Sequence, residues 1–584
     1  MSDWTENISR YHILNLSINI MEDVLDYIAT ELDKNFLKDE INRENIKNLY
    51  RPTIYLTTSI FLERFIRVMS LNDNSKNPHI EKKKFNNFEN SLDCFLKCYY
   101  DKKTNNNLLL NLSIILNKKF VENTNYKEVN NSIIKNFFYK NNDSNFVYFK
   151  NILSKICKRL LEKNKLRRNN NIVYDGSVFL ENIFKKSIRF KDYKSQIKKN
   201  YNNQFREKLQ KYIKVIFFKN LINDKIIKID KNILDNISYL FSEWITSAIP
   251  FSLLEELDNK IKYYLKFYNF KNIKEVHATT SLLHNDNFKI FAAIYKSRGK
   301  PLIVHDHGVN NFIKYFNKDG TYKFTKMMPL LYFSDYYLAW GKNVKVNQWE
   351  RVEENLKTKI INLGSNYLMQ IKPKKIFNIN KNNKIRIFYP SSPFKFYMTC
   401  LDEITPEKNL LHKLQVSEFI EHILKEYNAE IVFKNFNSKF INYKNDPTVN
   451  FLYKYLIKGK IKLTNDKPIK IMKEFDLLLL DMVSTTFAES VAIGVPSLIF
   501  SNKFDYSLLC KDGKIINDNL EKNNILFYEK NNAFKCFKYF INNKNSYFVK
   551  NKDLFIDYQN KIAYPVGTKE FKSKLNSFRY NFLK

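Results

Sequence analysis

The stretch "PLIVHDHG" (301–308) ends an apolar run in two histidines around an aspartate, followed directly by a glycine, in a chain with only 8 histidines. Imidazole titrates near neutral pH and serves as base, acid or metal ligand. Alternation at a strand end puts His305 and His307 on one face and Asp306 on the other. His307 with Gly308 therefore reads as a ligand turn, where imidazole meets a phosphate or an acceptor hydroxyl and glycine lets the backbone approach. His305 reads as packing. His277, His284 and Asp286 fall in the preceding strand and the loop after it. A zinc site from His284, His305, His307 and Asp286 is conceivable, but its spacing matches no short fixed motif.

A second cluster lies in "DLLLLDMVSTTFAESVAIGVPSLIF" (476–500). An apolar strand ends at Asp481, and Ser484, Thr485 and Thr486 fall where a helix begins, with Glu489 one turn in. Hydroxyls and free N–H groups at a helix start make an anion site, and Glu489 suits a ribose. The alternative is a capping box without ligand. Lys434 at the end of "EIVFK" would sit near nucleotide phosphates, or alternatively in solvent. Ser391, Ser392 and Lys395 occupy the loop after "IRIFYP".

These residues need elements to hold them. Residues 1–270 read as mainly helical, as in "YRPTIYLTTSIFLERFIRVMSL", and as part of, or packed on, an acceptor domain. From 271 to 370 strands and helices alternate, which implies a parallel sheet with covering helices. Residues 371–384 read as a linker, 385–560 as a second α/β domain for the nucleotide donor, and 561–584 as a C-terminal helix. The expected fold is therefore α/β, two Rossmann-like domains facing across a cleft, with ligands beyond the carboxyl ends of the strands.

Composition bounds the function. The 584 residues carry 97 Lys and Arg against 60 Asp and Glu, a formal charge of +37. Lysine is spread along the chain, and the densest basic run, "CKRLLEKNKLRRNNN" (157–171), reads as a helix end entering a loop. A selected nucleic-acid face would concentrate its charge. The excess equally favours anionic membrane surfaces or phosphate-bearing ligands. The 6 cysteines are scattered without a paired CxxC, and the N-terminus has no signal-peptide character. No apolar run reaches the roughly 18 residues of a membrane span. A cytoplasmic protein, peripheral at most to the inner face of the cell membrane, is expected.

The segments "ATTSLLHNDNFKIFAAIYKSRGKPLIVHDHG", "FSDYYLAWGK", "INLGS", "YPSSP" and "LLLLDMVSTTFAESVAIGVPSLIF" together resemble transferases of bacterial surface-carbohydrate biosynthesis. In that family a "QHGG" turn is followed by "SD…WG" and "STT…E…PT". The C-terminal half also resembles the wider GT-B-type glycosyltransferases acting on capsules, teichoic acids and sialylated glycans. This chain departs from the family at Asp306, which replaces glutamine, and at Val309, which replaces glycine. A lysine-x-histidine-proline turn of relatives stands here as Lys434-Asn435-Phe436-Asn437.

The resemblance implies a metal-independent glycosyltransferase with no bound cofactor. It would use a nucleotide-sugar co-substrate, CMP-linked or otherwise, and a glycan or lipid-linked acceptor. Thr485, Thr486 and Lys434 would balance the leaving phosphate, Glu489 would hold the ribose, and His307 or Asp286 would act as general base. Transfer of a polyol phosphate from a CDP donor, a basic nucleic-acid-binding protein and a non-catalytic scaffold are the competing readings.

Overall fold

The computed structural model describes residues 10–34, 40–71, 82–118, 169–181, 183–184, 187–194, 201–224, 226–308, 316–318, 321–323, 328–342, 357–372, 384–395, 397–398, 403–435, 446–507, 509 and 511–583. Most of the basic run 157–171, most of the linker 371–384, and Val309, Phe436 and Asn437 lie outside these residues.

Two parallel six-stranded sheets form the frame, each covered by helices. In the first, β1 (Asn169–Tyr174), β2 (Ser187–Arg189), β3 (Glu275–Ala278) and β4 (Leu302–His305) are joined by β7 (Tyr336–Ala339) and β8 (Lys359–Asn362), in the order β2-β1-β3-β4-β7-β8. A separate hairpin, β5 (Phe316–Lys318) with β6 (Thr321–Lys323), lies between β4 and β7 in the chain. The second sheet comprises β9 (Ile385–Pro390), β10 (Ala429–Lys434), β11 (Ile461–Leu463), β12 (Leu477–Leu480), β13 (Ser497–Phe500) and β14 (Leu526–Phe527), in the order β11-β10-β9-β12-β13-β14. Two Rossmann-like domains are thus present, as expected.

The first sheet starts earlier in the chain than position 271. β1 and β2 come from the region read as mainly helical and pair in parallel beside β3. β1 lies in the piece 170–184, which reads as an extended segment entering a helix, whereas β2 is only three residues long and has too little pattern to stand out.

Buried strands write themselves as apolar runs, and β12 is four leucines, each at most 2% exposed. Burying one such side chain contributes roughly 1.5–3 kcal/mol. In the N-terminal region the helix Arg43–Met69 is buried on nearly every side, which explains why it shows no polar face. Its arginines survive burial by pairing. Arg67 meets Glu63 and Glu407, and Arg64 meets Glu63, Asn105 and the Met398 carbonyl.

The C-terminal helix Thr568–Phe582 returns to the first sheet. Arg579 pairs with Glu275 of β3, and Tyr336 of β7 donates to the Phe582 carbonyl. Among the described residues no helix is long and apolar enough to cross a membrane.

Candidate functional site

β4 ends at His305, so the expected alternation does not reach His307. His305 is 6% exposed and its Nε2 lies 2.9 Å from Nδ1 of His277, which in turn contacts Glu275. Burial, then the neighbouring His277, holds the His305 imidazole well below its usual pKa. His305 is thus a packing residue. His307 stands beyond the strand as an exposed residue. The protein around it still lowers its pKa, by burial first, against the opposing charge of Asp175. A neutral imidazole at pH 7 is a competent proton acceptor.

The turn is held by Asp306, which is 2% exposed. Its carboxylate accepts from the Tyr337 hydroxyl at 3.0 Å, the Trp340 amide at 3.3 Å and the Gly308 amide at 3.4 Å. Asp306 therefore anchors the turn by its side chain.

Gly308 makes the key approach. A Cβ placed there would lie 2.6 Å from Oγ1 of Thr485, so the turn after β4 touches the helix start of the other domain. That helix, Thr485–Ile493, opens at Ser484 with extended backbone and no side-chain cap, and closes at Gly494 in the left-handed region (φ 81°). The Ser484 side chain makes no capping hydrogen bond, so the capping-box alternative finds no support among the described residues. Thr485 and Thr486 are partly exposed at this junction.

Gly308→Ala is expected to cost about 1–3 kcal/mol through overpacking. Thr485→Ala removes the oxygen and leaves a Cβ at the ordinary distance of 3.9 Å. The two substitutions should therefore show a coupling of about 0.5–3 kcal/mol in a thermal-unfolding double-mutant cycle. Simple additivity would mean that the two residues do not touch.

Glu489 is 9% exposed and accepts from the Tyr367 hydroxyl at 2.6 Å. Burial raises its pKa. One carboxylate oxygen is therefore taken by the segment that follows β8, where Trp340 stacks on Tyr367 at 5.9 Å.

Ser391 and Ser392 lie in the loop after β9. With Asp481 and Lys413 they form a buried network at the ends of β9 and β12. Asp481 accepts from Lys413 at 2.7 Å, from the Ser392 amide and hydroxyl at 2.8 Å, and from the Ser391 hydroxyl at 3.3 Å. Burial pushes the Asp481 pKa up, but the charge and hydrogen bond of the 0%-exposed Lys413, with His412 and the Ser392 amide, together keep it below the ordinary carboxylate value. Lys395 pairs with Glu403 and lies over the Tyr99 ring at 4.4 Å, a contact between the domains. Lys434 ends β10 half-buried, with its pKa lowered by desolvation and its Nζ 3.5 Å from the Asn465 carbonyl.

Asp286 is 4% exposed in an ion pair with Lys289 at 2.7 Å, and it accepts from the Ser91 amide and the Ser252 hydroxyl. Burial works against the charge, but Lys289 and the hydrogen bonds prevail and lower its pKa. So occupied and so stable as an anion, it is a poor base, and its visible work is to tie three N-terminal segments together.

Sequence reasoning missed Asp175, which follows β1. It accepts from the amide and hydroxyl of Thr279 at 2.7 and 2.8 Å and from Ser177 and Ser281, fixing the loop beside His307. Its signal was an acidic residue between a strand and a glycine, "VYDG". His307 itself lines a cavity of about 490 Å³ walled by Tyr55, Phe95 and Tyr99. His284 stacks on Phe95 at 4.3 Å. Among the described residues no group of three or more His, Cys, Asp or Glu side chains is placed to hold a metal ion.

Two parallel α/β domains thus meet where the histidine–glycine turn of one lies against the helix start of the other. The sequence profile of the LIC12162 family transferase matches residues 2–536, and the chain belongs to that family. No curated protein matches the chain.

Solved structures match the chain at low identity and low TM-score. S. aureus MnaA with UDP is 12% identical, with a TM-score of 0.35 over 57% of this chain and 82% of its own. UDP-GlcNAc 2-epimerase from Neisseria meningitidis bound to UDP-GlcNAc is 12% identical, with a TM-score of 0.34 over 56% and 82%. The E. coli trehalose-6-phosphate structure with UDP-2-fluoro glucose is 11% identical, with a TM-score of 0.36 over 71% and 98%.

Proposed function

We propose that this transferase moves a sugar from a nucleotide-activated donor to a growing surface glycan such as capsule or lipopolysaccharide. The observation that carries this reading is the contact between Gly308 and Thr485, which brings the His307 turn to the uncapped start of the Thr485–Ile493 helix. The N-terminus of a helix stabilises anionic oxygens through its free N–H groups and dipole. The donor phosphates sit there, with Ser484, Thr485 and Thr486 as hydroxyl donors and Lys434 as a nearby positive charge. Glu489, with one oxygen on Tyr367, keeps the other for a ribose hydroxyl.

His307 takes the proton of the acceptor hydroxyl as that oxygen attacks the anomeric carbon and the nucleotide leaves with the bonding electrons. Charge on the departing phosphate is balanced by oriented N–H and O–H groups, and this reading assigns no step to a metal. The formal charge of +37 draws the protein toward the anionic inner face of the cell membrane, where lipid-linked acceptors reside.

A thermal-shift screen with CMP, CDP, UDP, GDP and dTDP tests the donor site. A nucleotide present at about 100 times its Kd stabilises the folded protein by roughly 2.7 kcal/mol. One of the five should raise the Tm, and Thr485→Val with Thr486→Val should abolish the rise. No rise with any nucleotide would overturn the assignment. Product analysis with the matching nucleotide-sugar and CDP-polyol then separates sugar transfer from polyol-phosphate transfer.

A further inference from the structure

Beside the cavity lined by His307 lies a larger open chamber of about 820 Å³, at the carboxyl ends of β1 and β3. The two cavities share Thr280 and His284 as walls. Its size falls within the range of small-molecule sites. Its charged walls are Glu89, Asp175, Asp192, Glu256 and Asp286 against Lys260, in a chain that is otherwise strongly basic.

Some of this charge is cancelled locally. Glu256 pairs with Lys260 at 3.1 Å, and Asp286 pairs with Lys289. Asp175 and Asp192 are different. Asp175 is satisfied by neutral amides and hydroxyls, and Asp192 accepts from the Asn285 amide at 3.0 Å. Among the described residues neither forms an ion pair. Their negative charge therefore stays in the chamber, and hydroxyls and amides such as those of Ser177, Tyr193 and Asn287 complete its polar wall.

We propose that this chamber is the acceptor subsite and that it takes a hydroxyl-rich glycan that is uncharged or carries free amino groups, while excluding phosphate- or carboxylate-bearing ones. The proposal rests on the glycosyltransferase reading, since it places the acceptor next to His307. It goes beyond that reading by setting the acceptor's charge class. The protein's overall field gathers anions, so the chamber's local field supplies the discrimination that the net charge would defeat. A like charge brought beside an uncompensated carboxylate is repelled, whereas an ammonium group is attracted.

The test is titration calorimetry of the full chain at low salt with three trisaccharide probes: triglucosamine, maltotriose and trigalacturonate. Triglucosamine should bind tightest, maltotriose next, and trigalacturonate at least ~10-fold more weakly than either. Asp192 is exposed, so Asp192→Lys leaves the core untouched. It should weaken triglucosamine by ~10-fold and strengthen trigalacturonate. Asp192→Asn should fall between the two.

Equal or tighter binding of trigalacturonate, an unchanged order in Asp192→Lys, or no binding of any probe would overturn the proposal. The nucleotide shift is read separately. A nucleotide-induced Tm rise without the expected sugar order sinks this proposal alone, and loss of that rise sinks the donor reading.

Discussion

His307→Ala should lower kcat for transfer by about 10²–10⁴-fold, the usual contribution of a positioned general base. His307 is an exposed residue outside the packed core, so the variant should fold as the parent does and keep its nucleotide-induced rise in Tm. The pH profile carries a second expectation. Burial lowers the His307 pKa below its ordinary value near 6.5, so the imidazole stays neutral at pH 7. As pH falls through that lowered value the base is protonated, and kcat/KM should fall on the acid side. The acid limb should vanish in His307→Ala together with the rate. An unchanged kcat in His307→Ala would remove the histidine from the mechanism.

Lys413→Met should be the most destabilising single change in the C-terminal domain, by about 3–5 kcal/mol, because it strands a buried carboxylate without its cation. Asp481 would keep neutral donors such as Ser391, Ser392 and Tyr389 and would lose an ion pair of 2.7 Å between groups 0% and 3% exposed. Lys413→Met with Asp481→Asn removes both charges and should recover much of the loss, which urea unfolding would measure. The pH dependence has a defined sign. The folded pKa of Asp481 lies below its unfolded one, so its contribution is present above the ordinary carboxylate range and disappears as pH falls through the lowered value. Equal stability of Lys413→Met and parent would show that the network is not a structural ion pair.

Five strands of the second sheet are legible in the sequence, several as apolar runs ending at a polar residue, such as Leu480 before Asp481 and Phe433 before Lys434, whereas β14, two residues long, has too little pattern to be read. The turn at His307–Gly308 and the helix start at Ser484 were legible for the same reason, since both follow such runs. Their contact was not legible, because Gly308 and Thr485 are far apart in the chain and only the packing of the two sheets joins them. Lys413 lies in "LHKLQVSEF", where helical spacing gives a lysine no mark of burial, so its pairing with Asp481 had no local signal. Asp286 shows the opposite case. It stood beside histidines in a strand-end loop and looked chemical, yet Lys289, one turn along its own helix, claims it. β2, only three residues long, had too little pattern to reveal that the first sheet reaches back before residue 200.

The two domains are fastened along two seams. On one, Arg64 and Arg67 of the buried N-terminal helix reach the Met398 carbonyl and Glu407. On the other, the chain crosses back through Ser365 beside Pro565, and Arg579 locks onto Glu275. A wide swing of one half away from the other would strip buried guanidinium groups of their partners, at a cost comparable to breaking the Lys413–Asp481 pair. Parting the halves therefore costs more at these charged fastenings than at the Gly308–Thr485 contact, which involves no ion pair.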